Sequence, residues 1–335
     1  MNRLFLPSEQ PVEEALSGLA LAHPGLLTLH EDPLYVTARE RHPGRRVGLV
    51  SGGGSGHEPL HTGFVGAGML DAAAPGRVFA SPHNRQIYEA SKAVAGPAGV
   101  LHVVKNYTGD RINFGIAAER LRADGIPVAR VLVDDDLATE SEETATGRRG
   151  TGATVIVEKL LGAAADAGAG LDELAELGAR VAAASRSVAV AGRAQTSPAR
   201  GGEAFPLPAG TLEYGVGIHG ERAATTVEHP GFEQLVDRMT HQVADALPAT
   251  ARSVLLLVNG LGATTLLELY AVHARVSRLL GERGLDVAGR LVGSYVPALD
   301  MSGFSLTLTA LDDDWAAHWH APARTVAFPA QEAVR

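Results

Sequence analysis

The stretch from Val47 to His61, VGLVSGGGSGHEPLH, constrains the fold more than any other part of the chain. Val47, Gly48, Leu49 and Val50 form the uninterrupted apolar run of a strand buried on both faces, which is the pattern of a parallel sheet. Three consecutive glycines, Gly52 to Gly54, follow at once, and then Ser55, Gly56, His57, Glu58 and Pro59. A glycine-dense turn at the carboxyl end of such a strand lets backbone N–H groups approach a ligand closely, because no side chain intervenes. Parallel neighbours need crossover connections, so strands and helices should alternate around this one.

The rest of the chain keeps that rhythm. Val12, Ala15, Leu16, Leu19 and Ala22 recur at helical spacing within 11–22, and a polar connection from Tyr35 to Arg46 leads to the opening strand. A helix is expected to start near Pro59 and run over 61–67. Strands are expected over 77–80, 100–104 and 128–133, with helices over 84–94 and 112–124, where Asn84 and Asp110 are placed to cap. Two alanine-rich helices, 152–167 and 171–185, follow Arg148 and Arg149, a pair able to grip a phosphate or a partner carboxylate, or simply to open a solvated helix. The irregular stretch 192–208 places the domain change within 185–210. Strands over 214–218, 254–258, 287–292 and 305–310 then alternate with helices over 232–246 and 264–284, and a short helix starts at Asp312.

A length of 335 residues exceeds what one hydrophobic core usually serves. The expectation is two α/β domains, 1–185 and 186–335, each a mainly parallel or mixed sheet flanked by helices, with the C-terminal segment able to pack back on the first. No apolar run approaches the ~18 residues of a membrane span, and 1–20 has no charged head before an apolar segment, so a cytoplasmic protein without membrane contact is expected. The chain has no cysteine, which removes disulfides, zinc–thiolate sites and thiol nucleophiles. A net charge of −9 with no basic run argues against a nucleic-acid partner.

Polar residues stand at the end of each expected strand of the first half: Ser81 to Asn84, Lys105 to Asp110 and Asp134 to Asp136. A phosphate loop would need Lys and Ser or Thr after Gly56, where His57 and Glu58 stand, and a dinucleotide loop beginning at Gly54 lacks its third glycine. A metal pair of His57 and His61 would need a helix that Pro59 breaks, so no metal is assigned. What remains is acid–base or covalent chemistry on a small polar molecule. His57, Asp110 and His219 each lie in a glycine-bearing turn after an apolar strand. An unprotonated imidazole can attack a carbonyl, and a carboxylate can take the proton of a hydroxyl that attacks phosphorus.

The runs SGGGSGHEP (51–59), KNYTGD (105–110), GRRG (147–150) and GVGIHGE (215–221) resemble the K subunit family of dihydroxyacetone kinases. NGLGATTLLEL (259–269) and VGSYVPALDMSGFSLTL (292–308) continue the resemblance in order along nearly the whole chain. The resemblance implies that dihydroxyacetone is held through a hemiaminal bond to His219, in a cradle of Gly54, Ser55, Gly56 and His57 completed by Lys105 and Asp110. It implies Asp110 as general base and His57 as the group that orients or polarises a substrate oxygen. It also implies that this chain binds no nucleotide itself. A separate L-type subunit would carry ADP or ATP with Mg2+, and where the phosphotransferase system is the donor an M-type subunit would recharge it. A homodimer is expected on the same ground. The alternatives are a dihydroxyacetone-sensing co-regulator and a kinase subunit for a related keto-sugar such as erythrulose. The sequence departs from the family at His83 to Gln86, at Arg222 and in a short connection over 246–253.

Overall fold

The computed structural model describes residues 4–7, 9–139, 147–222 and 225–329. Its contacts divide the chain into two compact units. The first comprises Leu6–Val133, Thr154–Ala182 and the described residues from Asp314 onward, and the second is built mainly from Asp134–Ala153 and Ala183–Asp313. In place of a single boundary at residue 185, Asp134–Ala153 therefore groups with the second half, and the segment from Asp314 groups with the first.

The first unit is built on a sheet of six strands in the order β1-β2-β4-β3-β5-β6. These are β1 (Leu27–Glu31), β2 (Leu34–Ala38), β3 (Gly48–Ser55), β4 (Ala72–Val78), β5 (Val100–Lys105) and β6 (Val128–Val133). β4, β3, β5 and β6 are parallel, and the β1–β2 hairpin extends the sheet antiparallel from β4. Helices α1 (Pro11–Ala22), α2 (Asn84–Val94), α3 (Thr108–Ala123), α4 (Ala153–Asp166) and α5 (Leu171–Ala183) accompany it. Every residue of β3 is buried, as its continuous apolar run requires. Ile87 of α2 and Phe114, Ala117 and Leu121 of α3 close over Val104, each large apolar side chain contributing about 1.5–3 kcal/mol by burial.

Several elements differ from expectation, each for a physical reason. β4 begins at Ala72 rather than at residue 77, and it contains Pro75. β2 pairs with β4 only at Ala72 and Ala73, so the missing N–H of Pro75 leaves no bond unmade on that side. β2 itself occupies part of what reads as a polar connection. The helix expected over 61–67 is only a 3-10 turn, Thr62–Phe64. The chain instead turns back at Gly66, whose φ of 152° no other residue adopts readily and whose N–H bonds the Leu70 carbonyl. This loop is closed by the returning C-terminal segment: the Arg324 N–H donates to the Ala67 carbonyl at 2.8 Å and the Ala327 N–H to the Gly63 carbonyl at 3.0 Å. Asn84 and Asp110 do not cap. His83 caps α2 in a reciprocal pair with Gln86, and α3 starts early enough to enclose Asp110 in its first turn.

The second unit carries a mixed sheet of six strands, ordered β11-β10-β12-β7-β8-β9. They are β7 (Ser185–Arg193), β8 (Thr211–Tyr214), β9 (Thr225–Glu228), β10 (Ser253–Gly260), β11 (Asp286–Gly293) and β12 (Ser302–Ala310). Only β10 and β11 run parallel. Helix α6 (Phe232–Asp245) and α7 (Leu266–Glu282) cover it, with Val236, Met239, Val272 and Val276 packed on Leu256, Leu306 and Val188. Thr265 and Glu268 cap α7 reciprocally. β7 is an interior strand of this sheet, although it lies where the domain change was expected. β8 ends at Tyr214, where the sequence reads as the start of a strand, because Gly215 takes φ 90° and begins a turn. A last helix, α8 (Asp313–His320), opens the return to the first unit.

Candidate functional site

In the first unit the carboxyl ends of three adjacent strands carry the expected residues. β3 runs through Gly52, Gly53 and Gly54 into Ser55, Gly56 and His57. β4 leads into Phe79 and Ser81, and β5 ends at Lys105, with Asp110 in the first turn of α3. His57 is fully buried, and its ring stacks on Phe79 at 5.1 Å between centroids. The glycines are required by neighbours. A Cβ at Gly54 would stand 2.7 Å from the Ala80 nitrogen, and one at Gly53 would collide with the Lys105 ammonium. Lys105 thus lies behind the glycine backbone, fully buried.

Two members of the expected cradle are already engaged by protein. The Ser55 hydroxyl donates to the Gly76 carbonyl at 2.8 Å, and the Gly56 N–H donates to Glu58 Oε2 at 2.8 Å. Lys105 Nζ lies 2.7 Å from His61 Nε2 and 3.9 Å from Asp110 Oδ2. Asp110 is buried, and its Oδ1 has no hydrogen-bond partner among the described residues. A buried carboxylate oxygen left without a donor is costly unless something supplies one, and a ligand hydroxyl would. His61 Nδ1 faces Ser51 Oγ at 2.9 Å and Glu158 Oε1 at 2.6 Å, so both ring nitrogens are held by protein. Among the described residues no group of three or more His, Asp or Glu is arranged to hold a metal ion.

In the second unit His219 sits in a tight turn closed by the Gly217 N–H on the Glu221 carbonyl at 2.9 Å, and the Gln195 amide donates to the His219 carbonyl at 3.0 Å. His219 Nδ1 lies 2.9 Å from Glu221 Oε1, while its backbone N–H donates to Oε2 at 2.9 Å. With a carboxylate on Nδ1 the ring proton is assigned there, and Nε2 carries the lone pair. Burial alone would raise the Glu221 pKa, but the hydrogen bond from His219 and the charge of Arg149 hold the carboxyl well below its usual range. Arg149 is buried in an ion pair with Asp136 at 2.6 Å and donates to the Gly215 carbonyl at 2.9 Å. Arg148 bonds the Asp134 carbonyl at 2.7 Å. Arg149 therefore braces the start of the histidine turn from inside the chain, while Arg148 ties down Asp134, so the pair is not a solvated helix entry.

Ser51, Phe79, Glu158 and the bracing role of Arg149 escape a reading of loops alone. Glu158 had a signal: it stands among Ile156, Val157, Leu160 and Leu161 on a wholly buried stretch of α4, where an unpaired acid is not tolerated.

The Dak1 domain matches residues 17–327, and the chain belongs to that family. Among its relatives, the dihydroxyacetone-binding subunit DhaK of the PEP-dependent dihydroxyacetone kinase of Escherichia coli is 42% identical, with 98% of this chain and 99% of that one covered. The crystal structure of the dihydroxyacetone kinase of C. freundii in its native form matches all of this chain with a TM-score of 0.91 at 34% identity, and the match spans 62% of that longer chain. The dihydroxyacetone kinase operon co-activator Dha-DhaQ is also similar, with a TM-score of 0.86 and 33% identity over 94% of this chain and 97% of that one.

Proposed function

We propose that this chain is the substrate-binding subunit of a dihydroxyacetone kinase and holds dihydroxyacetone as a hemiaminal on His219. The observation that carries this reading is the Glu221 carboxylate on His219 Nδ1, which leaves Nε2 as the nucleophile. Its lone pair forms the C–N bond to the ketone carbon, the carbonyl π pair moves to the oxygen, and that oxygen takes up a proton from solvent water. Glu221 stabilises the positive charge that the ring acquires. Glycerol has no carbonyl and cannot form the adduct, so it is rejected despite its similar hydroxyls.

In the first unit Asp110 is assigned as the base. The substrate's terminal hydroxyl gives its proton to Asp110 as its oxygen bonds the transferred phosphorus, and the donor's P–O bond breaks. His57 orients or polarises a substrate oxygen. The donor is a nucleotide with Mg2+ on an L-type partner, which an M-type subunit recharges where the phosphotransferase system is the source. The subunit acts in the cytoplasm as a homodimer. The likeness to a co-activator supports ketone binding without catalysis as a second reading. Asp110, with Oδ2 facing Lys105 and a buried Oδ1 that no described residue bonds, favours the kinase, because a sensor needs the binder and not the base.

Intact mass and turnover test this together. His219→Ala should lose the mass increment of one ketone, whereas Asp110→Asn should keep it and lose at least about 100-fold in turnover with the partner and donor present. An adduct on the His219 variant would refute the covalent assignment. Adduct without any turnover in the unaltered chain would establish the sensor instead.

A further inference from the structure

Behind the glycine loop of the first unit runs a buried polar chain that the reading above leaves unused. It links Ser51, His61 and Glu158 to Lys105, all of them buried and three of them with no exposure at all. Ser51 Oγ donates its only proton to the Val103 carbonyl at 2.8 Å, so toward His61 Nδ1 it can only accept. Glu158 Oε1 lies on the same nitrogen. Two acceptors there place the ring proton on Nδ1, and Lys105 must be the donor to Nε2. Burial, with the charges of Lys105 and His57, pushes the His61 pKa far down, so the ring stays neutral and keeps accepting. Burial raises the Glu158 pKa to about 8, and the proton it then carries is placed on Oε2, so that Oε1 still accepts from Nδ1. Lys105 Nζ also lies 3.9 Å from Asp110 Oδ2.

A lysine is a point charge on a flexible stem and does not stay fixed by itself. We infer that His61 and Glu158 are positioning residues for phosphoryl transfer: Glu158 locks the His61 ring, and His61 pins the Lys105 ammonium against the carboxylate of Asp110. This rests on Asp110 being the base. Both ring nitrogens of His61 and Oε1 of Glu158 are held by protein, so the loss of either residue should slow the proton-transfer step and leave ketone capture intact.

The test compares His61→Leu and Glu158→Leu with His61→Gln and Glu158→Gln, each with its L-type partner, nucleotide and dihydroxyacetone. The leucine variants should lose at least about 30-fold in kcat with KM within about 3-fold, because a small misplacement of the base costs rate rather than binding. The adduct mass should persist. The glutamine variants keep a hydrogen-bonding oxygen and should recover most of the lost rate. Folded leucine variants with undiminished kcat, or glutamine variants no better than leucine, would overturn the inference. Nitrogen-15 NMR of the histidine rings decides it independently of turnover: His61 should be neutral with the proton on Nδ1, and a proton on Nε2 would overturn the inference. An unaltered chain that captures the ketone but makes no phosphorylated product would defeat the kinase reading, and the ring spectrum would still judge this one.

Discussion

Gly53 has no side chain because Lys105 needs the room. A Cβ at that position would occupy the space of the ammonium, so the ammonium would have to leave both His61 and Asp110. Gly53→Ala should therefore lower kcat by at least about 10-fold, by displacement rather than by loss of a functional group. Steady-state assays on protein of unchanged circular dichroism check this, and wild-type kcat would show that Lys105 does not serve Asp110. The same residues show what a sequence reveals of a site. His57, Asp110 and His219 are visible because each stands beside glycine at the end of an apolar run. Glu158 shows only as an acid on an apolar helix and its role does not, because its partner His61 lies 97 positions away and only folding brings the two together.

Secondary structure follows the same rule at the scale of elements. α1, α2, α6 and β6 agree with the expected spans nearly to the residue, because their periodicity is local. β7 was hidden: SRSVAVAGR mixes polar and apolar residues, and what makes it a strand is pairing with β12, more than 100 positions on. Ser187 at its start also meets a buried carboxylate, Asp135, which accepts from the Ser187 hydroxyl, from the Thr151 N–H and hydroxyl at 2.7 Å each, and from the Ala153 N–H at 3.1 Å. Asp135 thus ties β7 to the first turn of α4 and stands in for a local helix cap. Asp135→Ala strands four donors and should cost about 3 kcal/mol or more, read as a lower denaturation midpoint. An unchanged midpoint would mean that water replaces the carboxylate without cost.

For the molecule as a whole, buried titratable groups give stability a defined pH dependence. His61 is held well below its usual 6.5 by burial and by Lys105 and His57, and burial with Arg122 and Arg130 holds His102 at about 3. Folding expels their protons, so the contribution of the two histidines rises with pH up to about 6.5, against that of Asp136, which burial raises to about 6. Glu158 has the opposite sign. Desolvation raises it from 4.5 to about 8, so its contribution is complete at acid pH and is lost as pH rises through 8. Above 6.5 the histidines no longer oppose it, and stability should fall by about 1.4 kcal/mol per pH unit until pH 8. Denaturation midpoints at pH 6.5 and 8 should show this fall, and Glu158→Gln should abolish it; an equal fall in the variant would assign it to other groups. The return of the chain at Asp314 carries a consequence for synthesis. Arg324 and Ala327 close the loop beyond His61, yet a ribosome delivers them only after every strand of the second unit. The first unit to begin is therefore the last to finish, and during translation the loop beyond His61 waits, open on one side, for a segment made more than 250 residues later.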